Sequence, residues 1–101
     1  MDESPDFINV LFKEFSMDLN AKFEQATKDV NTLSEKPDNL TLLELYSLFK
    51  QATEGDVHGE RPGGFDFKGA AKYDAWSKLK GMEAPEAKQK YIDLVNRLLS
   101  E

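Results

Sequence analysis

At 101 residues the chain has room for one domain with one small core, and its 40% hydrophobic and 32% charged residues are the balance of a folded globular protein. A net charge of −6 argues against a broad basic surface for nucleic acid, although a local lysine cluster can still hold a small anion. With no cysteine, disulfide and thiolate chemistry are excluded and a reducing, cytoplasmic setting is expected; no apolar run approaches the roughly 18 residues of a membrane span.

Residues 1–18 read as a unit apart from residues 19–101. Asp2 and Glu3 stand where the basic region of a secretion signal belongs, and Asp6 and Asn9 interrupt its apolar stretch. Ser4 before Pro5 is a helix-start signal, and Phe7, Ile8, Leu11, Phe12 and Phe15 then share one strongly apolar helical face. Two readings stand: an extension ahead of a domain that can begin at Met17, or a fifth helix that buries its face on the domain or on another chain, which is self-association. Lys13 among Asp2, Glu3, Asp6 and Glu14 speaks against attachment to a membrane, and no stable insertion is expected.

Helical periodicity dominates the rest. Phe23, Ala26, Val30 and Leu33 step along one face of a helix of about four turns, with Asp18 as its N-cap and Pro37 beyond its end. A second helix carries Leu42, Leu45, Phe49 and Ala52 on one face, Thr41 and Glu44 in a capping box at its start, and Gly55 at a left-handed position after its end. From Gly55 to Gly69 five glycines and a proline predict a long ordered loop, packed by Val57, Phe65 and Phe67. The third helix is predicted from Gly69 to Lys80, with Ala71, Ala75 and Leu79 in one row, Tyr73 and Trp76 beside it, and Gly81 closing it. The fourth starts near Pro85 and turns Ala87, Tyr91, Leu94, Val95 and Leu98 inward. Four amphipathic helices with one long connection describe a small all-α bundle.

Catalytic chemistry has little to stand on. His58 is the single histidine, with no cysteine near it for a triad or zinc site, and Asp56, Glu60 and Asp66 lack the spacing of a calcium loop. No phosphate-loop or dinucleotide fingerprint occurs. No enzyme, metal or cofactor is therefore expected. Aromatics and lysines are the other candidate set. Tyr46 and Lys50 lie four apart and share a helical face, while Lys68 and Lys72 lie four apart with Tyr73 following. Rings beside ammonium groups suit a nucleotide-like ligand with several phosphates. Charge counting gives no support, because Lys50, Arg61, Lys68 and Lys72 are balanced by Glu54, Asp56, Glu60 and Asp66. On these residues alone, surface lysines and core aromatics remain the commoner reading, and Trp76 fits a core anchor.

The segment Tyr46, Ser47, Phe49, Lys50, Gln51, Ala52, Thr53, Gly55, preceded by Pro37, resembles the acyl-CoA-binding protein family. Downstream, Arg61-Pro62-Gly63, Phe67-Lys68-Gly69, Lys72, Asp74-Ala75-Trp76, Leu79-Lys80-Gly81 and Tyr91-Ile92 continue the resemblance, which runs from about Leu19 to the C-terminus. Departures are Asn31 at a common lysine, Phe49 at a common tyrosine, Tyr73 at a common tryptophan, and Asp38-Asn39-Leu40 after the proline. The resemblance implies a four-helix bundle that binds acyl-CoA thioesters without reacting them. It implies that Tyr46, Lys50, Lys72 and Tyr91 hold the adenine and ribose 3′-phosphate, with Phe49 and Lys68 at the same head group. Leu42, Leu43 and Thr27 are implied to border the acyl chain. The expected function is cytoplasmic buffering or transport of medium- to long-chain acyl-CoA, with enzymes that make or use acyl-CoA as partners. The alternative is a four-helix protein-interaction module using the N-terminal apolar helix.

Overall fold

The computed structural model describes residues 18–101, and the expectations for residues 1–17 lie outside the described residues. Among the described residues are four α-helices and no strand: α1 over residues 18–29, α2 (Asn39–Glu54), α3 (Phe67–Ser77) and α4 (Ala84–Leu99). The all-α reading holds.

Each helix is delimited by local chemistry, and several predicted boundaries need correction, among them the end of α3, which closes at Ser77 rather than at Lys80. Asp18 is already helical, its carboxylate 3.2 Å from Lys22 one turn on, so it is no cap. At the other end α1 tightens into a 3₁₀ turn, Val30–Thr32, before Leu33 adopts an extended conformation. The hydroxyls of Thr27 and Thr32 there donate to the carbonyls of Glu24 and Asp29, which competes with continued α-helix. The start of α2 is capped by Asp38, whose carboxylate accepts from the Thr41 amide at 2.8 Å, in place of the expected Thr41–Glu44 box. The same device moves α3 forward to Phe67, where Asp66 accepts from the Gly69 amide at 2.9 Å. Pro85 lies in the first turn of α4 as expected.

The core is built from Phe23 and Ala26 of α1, Leu45, Leu48 and Ala52 of α2, and Ala87, Tyr91, Ile92, Leu94 and Val95 of α4. Because α2 packs against both α3 and α4, its buried arc is wider than one stripe and takes in Leu48, Ser47 and Gln51. Phe49, predicted on the inward face, lies at the edge of that arc and is 39% exposed. Phe23 ties α1 to both neighbours, stacked on Phe49 at 5.9 Å and edge-on to Tyr91 at 5.2 Å between ring centroids.

The loop between α2 and α3 is held differently from the expectation. Phe65 and Phe67 do not pack it; they lie on the surface, with Phe67 in the first turn of α3. The loop is anchored by side chains of α3 that reach back to it. The Trp76 indole donates to the Gly55 carbonyl at 2.8 Å, the Tyr73 hydroxyl to the Gly59 carbonyl at 3.0 Å, and Arg61 forks onto Asp74 at 2.8 and 2.9 Å. Gly55 leaves α2 at φ 78°, ψ −151°, a glycine region distinct from the left-handed helical well. Buried Gln51 donates to both Asp56 and the Met82 carbonyl at 2.9 Å, and Asp56 accepts from the Gly81 amide at 2.8 Å. The loop, the α3–α4 turn and α2 are thus tied at one point.

Candidate functional site

Tyr46 projects from the middle of α2 and Lys72 from α3, the two helices being packed together. The Lys72 ammonium lies 5.2 Å from the Tyr46 ring centroid. Lys50, one turn along α2, lies 6.0 Å from the same ring and 4.9 Å from the ring of Trp76. One half-buried tyrosine therefore carries an ammonium from each of two helices. The spacing that paired Tyr46 with Lys50 was legible in the sequence; the approach of Lys72 is tertiary.

Two clefts meet at this tyrosine. The first, about 510 Å³, is lined by Leu42, Leu43, Phe67 and Ala71, with Lys36, Lys68 and Lys72 among them. The second, about 600 Å³, is bordered by Asn31, Leu33, Pro37, Phe49 and Tyr91. Lys36, Leu42, Tyr46 and Lys72 belong to both. Volumes of this order suit a small organic ligand. One cleft offers a mostly aliphatic wall, the other aromatic rings, and their junction offers positive charge.

Of the residues singled out from sequence, Tyr46, Lys68, Lys72, Leu42, Leu43, Phe49 and Tyr91 line one or both clefts. Lys50 lies beside them, its ammonium engaged by the Glu54 carboxylate. Glu54 is held below the usual glutamate range chiefly by that hydrogen bond, and its other oxygen meets His58 at 3.2 Å. Thr27 is not brought to Leu42 and Leu43; it lines a separate cleft behind Phe49 with Phe23 and Lys88. Burial pushes the Tyr91 phenol above the ordinary tyrosine range, further from neutral pH. Trp76 is buried as expected of an anchor, but between Lys50, His58 and the loop rather than within the main core cluster.

Lys36, Asn39 and Ala71 were missed. Lys36 carries no periodic signal, because it belongs to the irregular segment between α1 and α2, and only the fold brings it to both clefts. Ala71 was read only as one of a row with Ala75 and Leu79, and the structure turns it to the cleft.

The chain matches the family model described as Acyl CoA binding protein over residues 20–95. It is 47% identical over 79 residues to the acyl-CoA-binding protein of Saccharomyces cerevisiae, covering 78% of this chain and 91% of the yeast protein. It is 42% identical over 83 residues to acyl-CoA-binding protein homolog 1 of Caenorhabditis elegans, covering 82% of this chain and 96% of the other. The crystal structure of Oryza sativa acyl-CoA-binding protein 2 superposes with a TM-score of 0.77 at 40% identity, covering 81% of this chain and 91% of that one.

Proposed function

The chain belongs to the acyl-CoA-binding protein family, and from that premise we propose that it binds acyl-CoA esters and carries them without reacting them. The observation that carries the reading is Tyr46 at the junction of an aliphatic and an aromatic cleft, with Lys72 and Lys50 against its ring. Coenzyme A presents an adenine, a ribose 3′-phosphate and a pyrophosphate. Ring faces serve the base, and lysine ammonium groups serve the phosphates as strong charged donors. The acyl chain needs only an apolar wall, and each methylene removed from water adds up to about 0.8 kcal/mol.

In this proposal Tyr46, Phe49 and Tyr91 receive the adenine, while Lys72, Lys68, Lys50 and Lys36 meet the phosphates. Leu42, Leu43 and Ala71 border the acyl chain; Thr27, in the neighbouring cleft, lies outside the assignment. Residues 19–101 form the binding domain, with residues 1–18 an accessory segment. The working compartment is the cytoplasm, and exchange is with enzymes that form or consume acyl-CoA. The reading as a protein-interaction module is not favoured by the relatives.

Calorimetric titration with acyl-CoAs of several lengths, free CoA and free fatty acid tests this reading. Acyl-CoA is expected to bind far more tightly than either fragment, with affinity rising until the groove is full. Equal affinity for CoA with and without an acyl chain would refute the role of the aliphatic cleft.

A further inference from the structure

The inward stripe of α1 has a counterpart upstream in the sequence. Ile8, Phe12, Phe15, Leu19, Phe23 and Ala26 follow one another at steps of four, three, four, four and three, so the first three are in helical phase with the last three, which face the core. Asp18 is already helical, with its carboxylate on Lys22, and no glycine or proline stands between Asp6 and Lys36. The sequence therefore holds no break in this helical pattern back to Ser4 and Pro5, themselves a helix-start signal. The neighbouring helices reach less far. Phe23 meets Phe49 and Tyr91, and Lys88 reaches Asn20. By that register α2, antiparallel to α1, ends at Glu54 about level with Asp18, and α4, parallel to it, begins at Ala84 one turn before Lys88. A helix continued to Ser4 would carry Ile8, Phe12 and Phe15 past both of these walls, with no proline or glycine to turn it back.

We propose that α1 continues to Ser4 and that its projecting apolar face pairs antiparallel with the same face of a second copy, giving a twofold-symmetric dimer. Phe7, Phe12 and Phe15, at about 150–250 Å² apiece, bring the shared face to about 1,200 Å² over both copies, the lower end of a specific interface. Charge sets the order of the pair. With Phe12 against Phe12, Asp2 and Glu3 of one copy come level with Lys22 and Lys88 of the other. Parallel order would instead set Asp2, Glu3 and Asp6 against their own counterparts, and like charges placed together are repelled. The clefts at Leu42 and Tyr46 lie along the first half of α2, away from Glu54, so pairing leaves both copies open to ligand.

Sedimentation equilibrium of the full chain, at concentrations up to about 100 μM, tests the proposal. The expected result is a reversible monomer–dimer equilibrium. Phe12→Glu should weaken association by roughly a hundredfold, because twofold symmetry counts the loss of each buried phenylalanine twice. A chain beginning at Met17 should be monomeric. Both variants should melt as folded domains, and, on the reading of the clefts given above, both should titrate with acyl-CoA as the parent does. The chain has no cysteine, so Ser4→Cys introduces a single thiol. In the antiparallel pair the two thiols are about 24 Å apart and should not cross-link under mild oxidation. A monomeric parent would overturn the proposal and leave the apolar face to its own domain. Parental association of Phe12→Glu or of the Met17 chain would overturn it as well, as would failure of the Met17 chain to fold. Ready cross-linking of the Ser4→Cys dimer would overturn the antiparallel order.

Discussion

Replacing Lys72 by alanine removes an ammonium that lines both clefts and lies 5.2 Å from the Tyr46 ring centroid. Among the described residues Lys72 has no carboxylate within ion-pair distance, whereas Lys50 is engaged by Glu54. A hydrogen bond to a charged group is worth roughly 1.5–3 kcal/mol, which corresponds to a roughly 10- to 150-fold loss of affinity for acyl-CoA. Stability should change by less than about 1 kcal/mol, the scale of an exposed cation–π contact. Lys50→Ala should lose less, because Lys50 must first leave Glu54 and the Trp76 ring. Lys90→Ala, on the exposed side of α4, serves as the control. Calorimetry with a long-chain acyl-CoA, beside thermal melts of each variant, measures both quantities. Parental affinity in folded Lys72→Ala, or an equal loss in Lys90→Ala, would refute the placement of the phosphates at Tyr46.

Glu54→Gln should tighten acyl-CoA binding by about two- to fivefold, since it frees Lys50 from an ion pair; unchanged or weaker binding in the titration contradicts a phosphate role for Lys50. Trp76→Phe leaves the Gly55 carbonyl without its donor, and should cost about 1–3 kcal/mol in denaturant unfolding while opening the 55–66 loop to proteolysis at Arg61. Asp56 is held below the usual aspartate range by the Gly81 amide and Gln51, and Asp74 by Arg61. Their contributions are therefore complete above roughly pH 4 and lost as pH falls through the lowered values, so Asp56→Asn should flatten the acid limb of a melting-temperature profile. A chain beginning at Met17 should remain folded and retain acyl-CoA binding; loss of either, by circular dichroism or calorimetry, would move the domain boundary into the first 16 residues.

The helices were legible where burial is one-sided. In α4 the stripe Ala87, Tyr91, Leu94 and Val95 is the buried set, joined by Ile92, because one face meets the rest of the domain. In α2 the single-stripe reading left out Leu48 and overstated Phe49, since a helix packed against two others buries a broader arc. The cap of α2 was misplaced because two suitable residue types stand close together. Asp38 and Thr41 both fit an N-cap, and the choice falls to the one whose oxygen reaches an amide three residues on before the turn is already closed. At the site, the residues of α2 followed from the resemblance and their helical spacing. Lys36 did not, because an irregular segment has no period from which to infer its direction. The loop aromatics misled for a related reason: a glycine-rich stretch with two phenylalanines reads as self-packed, whereas Trp76, Tyr73 and Asp74 supply the anchoring from the next helix.

Trp76 is the only tryptophan of the chain, and its indole has a lysine ammonium 4.9 Å from its ring on one hand and the edge of His58, 5.2 Å between centroids, on the other. The protein therefore carries an intrinsic optical gauge. A cation fixed near an indole shifts the energy of its excited state, so a phosphate that draws Lys50 away from the ring should alter emission colour and yield. Steady-state fluorescence can then follow loading and unloading of the pocket in real time, with no dye attached. The same signal in Lys50→Ala should be constant, which separates movement of that side chain from any wider change around the indole.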